Sequence, residues 1–271
     1  MSEILLRTTV VWFRLVWVRK RGESCRTSDR MVDFRPVASR TIKGRIKQVL
    51  SSRRLPAVLA MVAVLISLPA LRAGWILDDW FHRATLLADS RMGLHGLGRS
   101  LNGMFTLFSP GPHNQALKEQ GVLPWWACDH LRLEIWRPLS ALTHWLDYRL
   151  FPDSALLMHV HNLLWFGLAV TAVAVLYRQI AGPLWVAGLA GLMYTLDEAH
   201  YFPALWIANR NELIAVTFGA LTLIWHHRWR SEGSRRHLLC AVLALVGSLA
   251  GHRGRDRHTR LRGRLCAHTG P

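Results

Sequence analysis

The chain has 271 residues, 51% of them hydrophobic, and carries a formal net charge of +17. A charge of this size, spread over a soluble domain, would suggest a nucleic-acid partner. Lys and Arg are instead concentrated in residues 1–74 and 213–271, whereas residues 75–212 hold slightly more acids than bases. Because the apolar residues also form separate blocks, this distribution argues against nucleic-acid binding and favours a membrane protein.

The cysteines point to neither a disulfide framework nor a zinc site. Cys25, Cys128, Cys240 and Cys266 are far apart and form no CxxC pair. Four isolated thiols are therefore predicted.

Residues 1–54 are predicted to be a basic cytoplasmic region. Residues 4–18 are too short and too charged for a membrane span. Two interpretations remain open: a basic amphipathic helix on an anionic membrane surface, or an extension upstream of a true start such as Met31. Lys and Arg cluster at 40–54, directly before the first long apolar run, so the positive-inside rule places the N-terminus in the cytoplasm.

Residues 55–250 are predicted to form an all-α, polytopic transmembrane helix bundle of four or five spans. A long outer segment, residues 78–153, follows the first span and is expected to hold helices at 79–87 and 131–150. Basic residues after the fourth span fall on the cytoplasmic side, as the alternation of spans demands. The spans are predicted at about 55–77, 155–177, 184–196, 213–229 and 238–250.

The C-terminal stretch, residues 251–271, breaks this pattern. The fifth apolar run is short and is followed by sequence rich in Arg, Gly and His, which the alternation would place outside. The favoured hypothesis is a frameshift or truncation near residue 250. The alternative is a genuine basic tail after a short re-entrant segment.

Four groups of polar residues are predicted to lie on the outer face. Ionisable groups near membrane depth are costly, so each invites a functional hypothesis. The groups are Asp78-Asp79; Trp136-Arg137-Pro138-Leu139 with Thr143, His144 and Asp147; His159, His161 and Asn162; and Asp197, Glu198 and His200 with Asn209-Arg210-Asn211-Glu212.

Each group also has a purely structural interpretation. Asp78 and Asp79 suit the N-terminus of a helix that begins near Trp80. His159 and His161 are two residues apart, so on a helix they share no face and would bond to neighbouring helices rather than hold a metal. Arg210 is expected, on this interpretation, to pair with Glu212 or Asp197.

The order of these motifs resembles the N-terminal part of GT-C type integral-membrane glycosyltransferases, over about residues 55–245. The likeness is closest to bacterial relatives of the protein O-mannosyltransferases and of the tetratricopeptide-linked transmembrane mannosyltransferases. The carrying motifs are Asp78-Asp79, Trp136-Arg137-Pro138-Leu139, Leu146-Asp147-Tyr148, His161-Asn162-Leu163-Leu164 and Trp206 to Leu213. The chain departs from the related pattern at Asp197-Glu198-Ala199-His200, where a His-Pro pair often stands.

The resemblance implies transfer of a sugar from a polyprenyl-phosphate carrier to an acceptor on the outer face of a bacterial inner membrane. Asp78 or Asp79 would act as general base or orient the acceptor hydroxyl. Arg137 or Arg210 would hold the carrier phosphate. His161, Asn162, His200 and Glu212 complete the implied substrate-binding set, and no metal or cofactor is implied.

Two further expectations concern activity. Family enzymes carry more spans than are counted here, so this chain alone is expected to be inactive or unstable. The alternative function is a non-catalytic integral membrane protein, either an assembly partner or a small transporter. Acids at the outer ends and the lack of an internal repeat favour the enzyme.

Overall fold

The computed structural model describes residues 42–87, 104–128 and 130–252, all within one compact unit that begins at Thr41. The predictions for residues 1–41 and for the tail from residue 253 lie outside the described residues. Cys128 and Cys240 are free thiols, in agreement with the prediction, whereas Cys25 and Cys266 also lie outside.

The regular secondary structure of the described residues is helical apart from one two-stranded antiparallel ribbon, which confirms the helical fold class. The ribbon pairs β1 (Thr106–Phe108) with β2 (Leu133–Glu134). Short 3₁₀ turns cover Leu68–Arg72, Glu198–His200 and Ile207–Asn209. The helices are α1 (Ile42–Leu50), α2 (Leu55–Ile66), α3 (Asp78–Leu87), α4 (Pro112–Glu119), α5 (Pro138–Leu150), α6 (Ala155–Ile180), α7 (Leu184–Leu196), α8 (Tyr201–Leu205), α9 (Arg210–Glu232) and α10 (Arg235–His252).

Two helical stretches among the described residues are long and apolar enough to cross a membrane: Leu55–Arg72 and Ala155–Ile180. Helix α7 is apolar but shorter, and its bounds match the predicted third span. Helices α9 and α10 cover the predicted fourth and fifth spans. The number of spans, four or five, stays a prediction.

The first predicted span, 55–77, ends earlier than expected. Helix α2 stops at Ile66, and a 3₁₀ turn with Pro69 near its start carries the chain only to Arg72. Proline commonly follows a helix end because it lacks the N–H needed to continue one. The chain then bends through Gly74 (φ 69°) and Leu77 (φ 47°) into α3.

The predicted helix at 131–150 begins only at Pro138. Pro138 occupies the first turn of α5, where its missing N–H would have no partner in any case. Upstream of it, Leu133 and Glu134 pair with β1 instead.

Helix α6 lies at the centre of the bundle and packs against α2, α7 and α9. Its inward side chains Leu163, Phe166 and Val170 form one buried cluster with Leu59 and Ala63 of α2. Ser154 caps its first turn by accepting a hydrogen bond from the Leu157 amide. Helix α6 is therefore the central helix of the bundle.

Small residues allow close helix contacts at two places. The Leu50 carbonyl lies directly against Gly188 of α7, where any Cβ would collide with it. Gly247 and Gly251 of α10 face Phe218 and Ile214 of α9, so these two helices run antiparallel in close contact.

Contacts at the ends of α6 separate two ends of the bundle. Near its C-terminus, Arg178 donates to the Ser52 carbonyl over 2.8 Å, which ties it to the loop before α2. At its N-terminus, His159 Nε2 lies 2.8 Å from the Gly74 carbonyl beyond α2. Helix α2 therefore runs antiparallel to α6, and the second end, here called the Asp78 end, collects the predicted polar groups.

Candidate functional site

Asp78 and Asp79, the first two residues of α3, lie in different environments. Asp79 is 1% exposed, and its carboxylate accepts hydrogen bonds from the Ile76 amide (3.0 Å) and the Ala208 amide (2.7 Å). Tyr148 donates its hydroxyl to the Asp79 carbonyl over 3.1 Å. The Asp79 carboxylate thus joins the bend before α3 to the 3₁₀ turn Ile207–Asn209. Both of its amide partners lie outside α3, so it is not the helix cap that the structural interpretation predicts.

The Asp79 carboxyl is nevertheless shifted in its acidity. Burial raises its pKa to about 6, although the two amide hydrogen bonds and the charge of Arg210 lower it in part. The charge of Asp78 adds to the increase.

Asp78 is exposed and lines a cavity of about 80 Å³ at the Asp78 end, here called the polar cavity. The surrounding protein still removes part of the water around its carboxyl, which raises the pKa of Asp78. Among the described residues, no hydrogen bond or ion pair to its carboxylate is found. The other main lining side chains are Phe81, His82, Phe105, Ile135, Arg137 and Trp206.

Arg137 brings a guanidinium to the polar cavity. Its Nη1 donates to Asn211 Oδ1 over 3.1 Å, and its guanidinium carbon lies 5.4 Å from the centre of the Phe105 ring. Burial lowers its pKa, and the charge of Glu212 offsets part of that decrease. Its buried Nε has no acceptor among the described residues, so one donor remains unused.

Two histidines stand behind Asp78. Burial lowers the pKa of His82 to about 3 and that of His144 well below its usual range, and the positive charge of Arg210 adds to both decreases. Their ring centres are 5.2 Å apart, and His82 lies edge-on to Phe105 at 4.9 Å. Both are therefore neutral at pH 7.

Several buried nitrogens around the polar cavity lack partners among the described residues. They are Nδ1 of His82, Nε of Arg137, Nε1 of Trp206 and both ring nitrogens of His144. Buried polar groups are normally hydrogen-bonded, so this group of unpaired nitrogens calls for an explanation. Arg137 Nε and Trp206 Nε1 can only donate, so a ligand with acceptor oxygens would supply their missing partners.

A second polar cluster lies beside the cavity and is centred on Arg210, which is fully buried. Arg210 Nη1 is 2.6 Å from Asp147 Oδ2, and its Nη2 donates to the Met158 carbonyl over 3.1 Å. Its Nε donates to Asn162 Oδ1 over 3.3 Å, while the Asn162 amide donates to the Pro203 and Ala204 carbonyls. We call this cluster, with His161, the buried hub.

The hydrogen bonds of the hub define the tautomer of His161. Trp165 Nε1, which can only donate, lies 3.1 Å from His161 Nε2. Nε2 is therefore the acceptor, and the proton of the neutral ring is on Nδ1, which donates to Asp147 Oδ1 over 2.6 Å. The 3.3 Å approach of Arg210 Nη1 to His161 Nδ1 is then a contact between two donors.

The predicted site residues thus separate into two sets. Asp78 and Arg137 line the polar cavity, whereas Asp79, His161, Asn162 and Arg210 belong to the buried framework beside it. The prediction that Arg210 pairs with Glu212 or Asp197 is wrong, because Asp147 of α5 takes that place.

His200 and Glu212 lie at the edge of the site. The His200 ring packs on Tyr194, with centres 4.0 Å apart, and burial lowers its pKa. The negative charge of exposed Glu212 raises the pKa of both His200 and Arg137.

Sequence reasoning missed most of the residues that line the polar cavity, among them His82, Phe105 and Trp206. His82 follows Asp78 by four positions, so helical spacing alone would have placed it on the same face. Phe105 and Trp206 come from distant segments and carry no comparable local signal.

Comparison of the chain with protein-family models, with curated proteins and with solved structures finds no match. The functional argument therefore depends on the geometry of the chain's own residues.

Proposed function

We propose that this chain is an integral membrane glycosyltransferase that moves a sugar from a polyprenyl-phosphate carrier to an acceptor on the outer face of the membrane. The proposal includes a bundle of four or five spans in a bacterial inner membrane with a cytoplasmic N-terminus. It also includes the GT-C resemblance of residues 55–245.

Exposed apolar stripes support the membrane part of the proposal. On four helices, large apolar side chains recur every three or four residues on the outward face, where a helix of a soluble protein carries polar residues. Apolar patches of this extent are rare on soluble monomers, and lipid would remove the cost of exposing them. The stripes are Val58, Met61 and Leu65; Leu157, Val160, Leu164 and Leu168; Leu189, Met193 and Leu196; and Leu239, Val242, Val246 and Leu249.

The polar cavity is the observation that carries the catalytic part. It joins an exposed carboxylate, a guanidinium with an unused donor and aromatic walls at one end of the apolar bundle. Each water-sized group needs about 10–15 Å³, so about 80 Å³ has room for roughly the five heavy atoms of a phosphate group. A guanidinium is well suited to bind phosphate oxygens.

In the proposed reaction, the Asp78 carboxylate accepts the proton of the acceptor hydroxyl. The acceptor oxygen bonds to the anomeric carbon as the bond from that carbon to the carrier phosphate breaks. Arg137 stabilises the charge that develops on the departing phosphate. The raised pKa of Asp78 favours this role, because a more basic carboxylate takes a proton more readily.

Lipid binding tests the phosphate site even if the chain alone does not turn over. In nanodiscs, the wild-type chain is expected to bind tritiated undecaprenyl phosphate at least about tenfold more tightly than undecaprenol. Arg137→Gln should abolish this preference, whereas Arg149→Gln, an exposed arginine of α5, should retain it. Equal binding of phosphate and alcohol by the wild type would refute the proposal.

Transfer from a panel of undecaprenyl-phosphate sugars then tests the chemistry. Any transfer should be lost in Asp78→Asn and kept in Glu119→Gln, which removes an exposed carboxylate from α4. Phosphate-dependent binding without transfer would favour the non-catalytic alternative.

A further inference from the structure

The two ends of the bundle differ in charge. The end away from the Asp78 end is formed by residues 42–54, by residues 178–185 at the α6–α7 turn and by residues 226–237 at the α9–α10 turn. These segments together hold ten Lys and Arg residues and a single acid, Glu232. We call this surface the basic end.

Helix α9 reaches the basic end because it runs parallel to α6. Its first residue, Arg210, donates to the Met158 carbonyl near the start of α6. Further along, Ile224 shares a buried cluster with Val173 and Leu176. The α9–α10 turn therefore lies at the same end of the bundle as the α6–α7 turn.

Helix α1 is held against the basic end by its contacts with α7. The Leu50 side chain packs against the buried cluster of α2 and α6, and the Leu50 carbonyl lies against Gly188. Lys47 Nζ is 5.2 Å from the centre of the Trp185 ring, at the start of α7. One side of α1 is thus covered by protein.

An apolar stripe with two basic edges lies on the uncovered side of α1. Ile46 is 54% exposed and Val49 is 63% exposed, and residues three apart lie on the same side of a helix. At 100° per residue, Arg45 falls beside Val49 and Lys43 falls beside Ile46, so the two cations flank the stripe. Both cations are exposed, and residues 42–54 contain no acid to neutralise them.

This pattern is complementary to the surface of an anionic membrane. A helix that lies at such a surface places its apolar side chains at the boundary between headgroups and acyl chains. Long basic side chains on either edge can then extend back to the lipid phosphates. Because the whole basic end is nearly free of acids, it attracts a negatively charged leaflet and repels basic partners.

We infer that α1 is a membrane-surface helix whose apolar stripe enters the cytoplasmic leaflet and whose basic edges bind the phosphates of anionic phospholipids. The inference uses the membrane topology of the proposed function and does not depend on sugar transfer. It assigns a lipid-binding role to the end of the bundle that is remote from the polar cavity.

A fluorescent probe on α1 tests whether the stripe enters lipid. The four cysteines are replaced by serine, and Val49→Cys or Gln48→Cys is labelled with a nitrobenzoxadiazole dye in phosphatidylglycerol nanodiscs. Both positions are exposed, but Gln48 lies on another side of the helix. The probe at Val49 should be quenched by spin-labelled lipid, and the probe at Gln48 by aqueous dithionite. Equal quenching at the two positions would overturn the inference.

Native mass spectrometry of the full chain in an uncharged detergent measures the headgroup preference. The wild type should bind dioleoyl phosphatidylglycerol at least about tenfold more tightly than dioleoyl phosphatidylcholine, since each nearby Lys or Arg contributes about fivefold. Lys43→Gln with Arg45→Gln should weaken binding of phosphatidylglycerol about tenfold or more. Arg72→Gln with Arg149→Gln, which removes the same charge from exposed positions outside the basic end, should weaken it less than twofold.

The other outcomes each overturn the inference. Equal binding of the two lipids by the wild type, or equal losses in the two double variants, would show that α1 does not select the headgroup. If Arg137→Gln alone removes the preference, the phospholipid phosphate lies in the polar cavity instead. A dimer in the mass spectrum that Val49→Gln dissociates would assign the stripe to a second copy of the chain.

Discussion

The buried hub and the polar cavity each contain a carboxylate and a guanidinium, but only in the hub do the two groups form an ion pair. In the hub, Asp147 and Arg210 meet at 2.6 Å, and both are almost fully buried. In the cavity, Asp78 and Arg137 line the same space without an ion pair between them, and Arg137 Nε and Trp206 Nε1 have no acceptor among the described residues.

The difference follows from the cost of burying charge. A buried ion is tolerated only when partners replace its lost hydration, and Arg210 finds them in Asp147, Asn162 and the Met158 carbonyl. Groups satisfied in this way have little capacity left for a ligand. A resemblance in sequence motifs can therefore point to a charged residue, such as Arg210, that stabilises the framework. The less buried Arg137 keeps a donor that a ligand could use.

Breaking the hub should have the largest effect. Arg210→Gln leaves Asp147 buried without its counter-charge, which we expect to lower the free energy of unfolding by about 3–5 kcal/mol. Arg230→Gln, an exposed arginine on the same helix, should change it by less than about 0.5 kcal/mol. Denaturation in detergent micelles, followed by tryptophan fluorescence, measures both.

A double variant sharpens this prediction. Arg210→Met combined with Asp147→Leu removes both charges, so it should be more stable than Arg210→Gln alone. If Arg210→Gln is as stable as Arg230→Gln, the ion pair does not hold the framework.

Asp79 should show a smaller effect that depends on pH. Its folded pKa of about 6 lies above the unfolded value of about 3.9, so the folded state binds more protons between these values. Its contribution to stability is thus fully present below pH 4 and is lost as the pH rises through 6. The loss amounts to at most about 3 kcal/mol.

Asp79→Asn cannot ionise and should lack this pH dependence. Measured from pH 4 to pH 7, the difference in unfolding free energy should move in favour of the variant as the pH rises. Asp153→Asn, an exposed carboxylate that pairs with Arg83, serves as a second carboxylate variant for comparison. Parallel curves for Asp79→Asn and the wild type would contradict the assigned shift.

His144 should give the smallest effect. It is buried like Arg210 of the hub, but its ring nitrogens have no hydrogen-bond partner among the described residues. Its lowered pKa contributes stability that is present above pH 6.5 and is lost as the pH falls below it. His144→Phe removes two unsatisfied nitrogens, so stability at pH 7 should be unchanged or higher by about 1 kcal/mol.

The control for His144 is His130→Phe at an exposed position. Thermal unfolding at pH 7 and pH 5 should show the advantage of His144→Phe growing at the lower pH. If His144→Phe instead lowers the free energy of unfolding by several kcal/mol at pH 7, the His144 ring makes a stabilising hydrogen bond and the prediction is wrong.

The fold was predictable where local chemistry decides it. The apolar run and its flanking Gly182-Pro183 are sufficient to predict the bounds of α7. The side chain of Ser154 caps α6, which begins at the next residue. The end of the first span was missed because the 3₁₀ turn around Pro69 breaks a run in which Arg72 is the only charged residue. Hydropathy records the composition of such a run but not where its hydrogen bonds stop.

The candidate site was predictable only in part, because its pairings are long-range. Asp78 and Arg137 could be proposed from their residue types and positions. That Asp79 turns inward depends on the Ala208 amide, and that Arg210 is buried depends on Asp147 of α5. No spacing rule within one helix connects residues so far apart along the chain.

Gly188 has a consequence for sequence variation among any relatives of this chain. Because the Leu50 carbonyl occupies the place of its missing side chain, even alanine there would push α1 away from α7. We therefore expect position 188 to accept glycine alone wherever the basic helix stays docked. A relative with a larger residue at this position should also have changed the loop that follows α1.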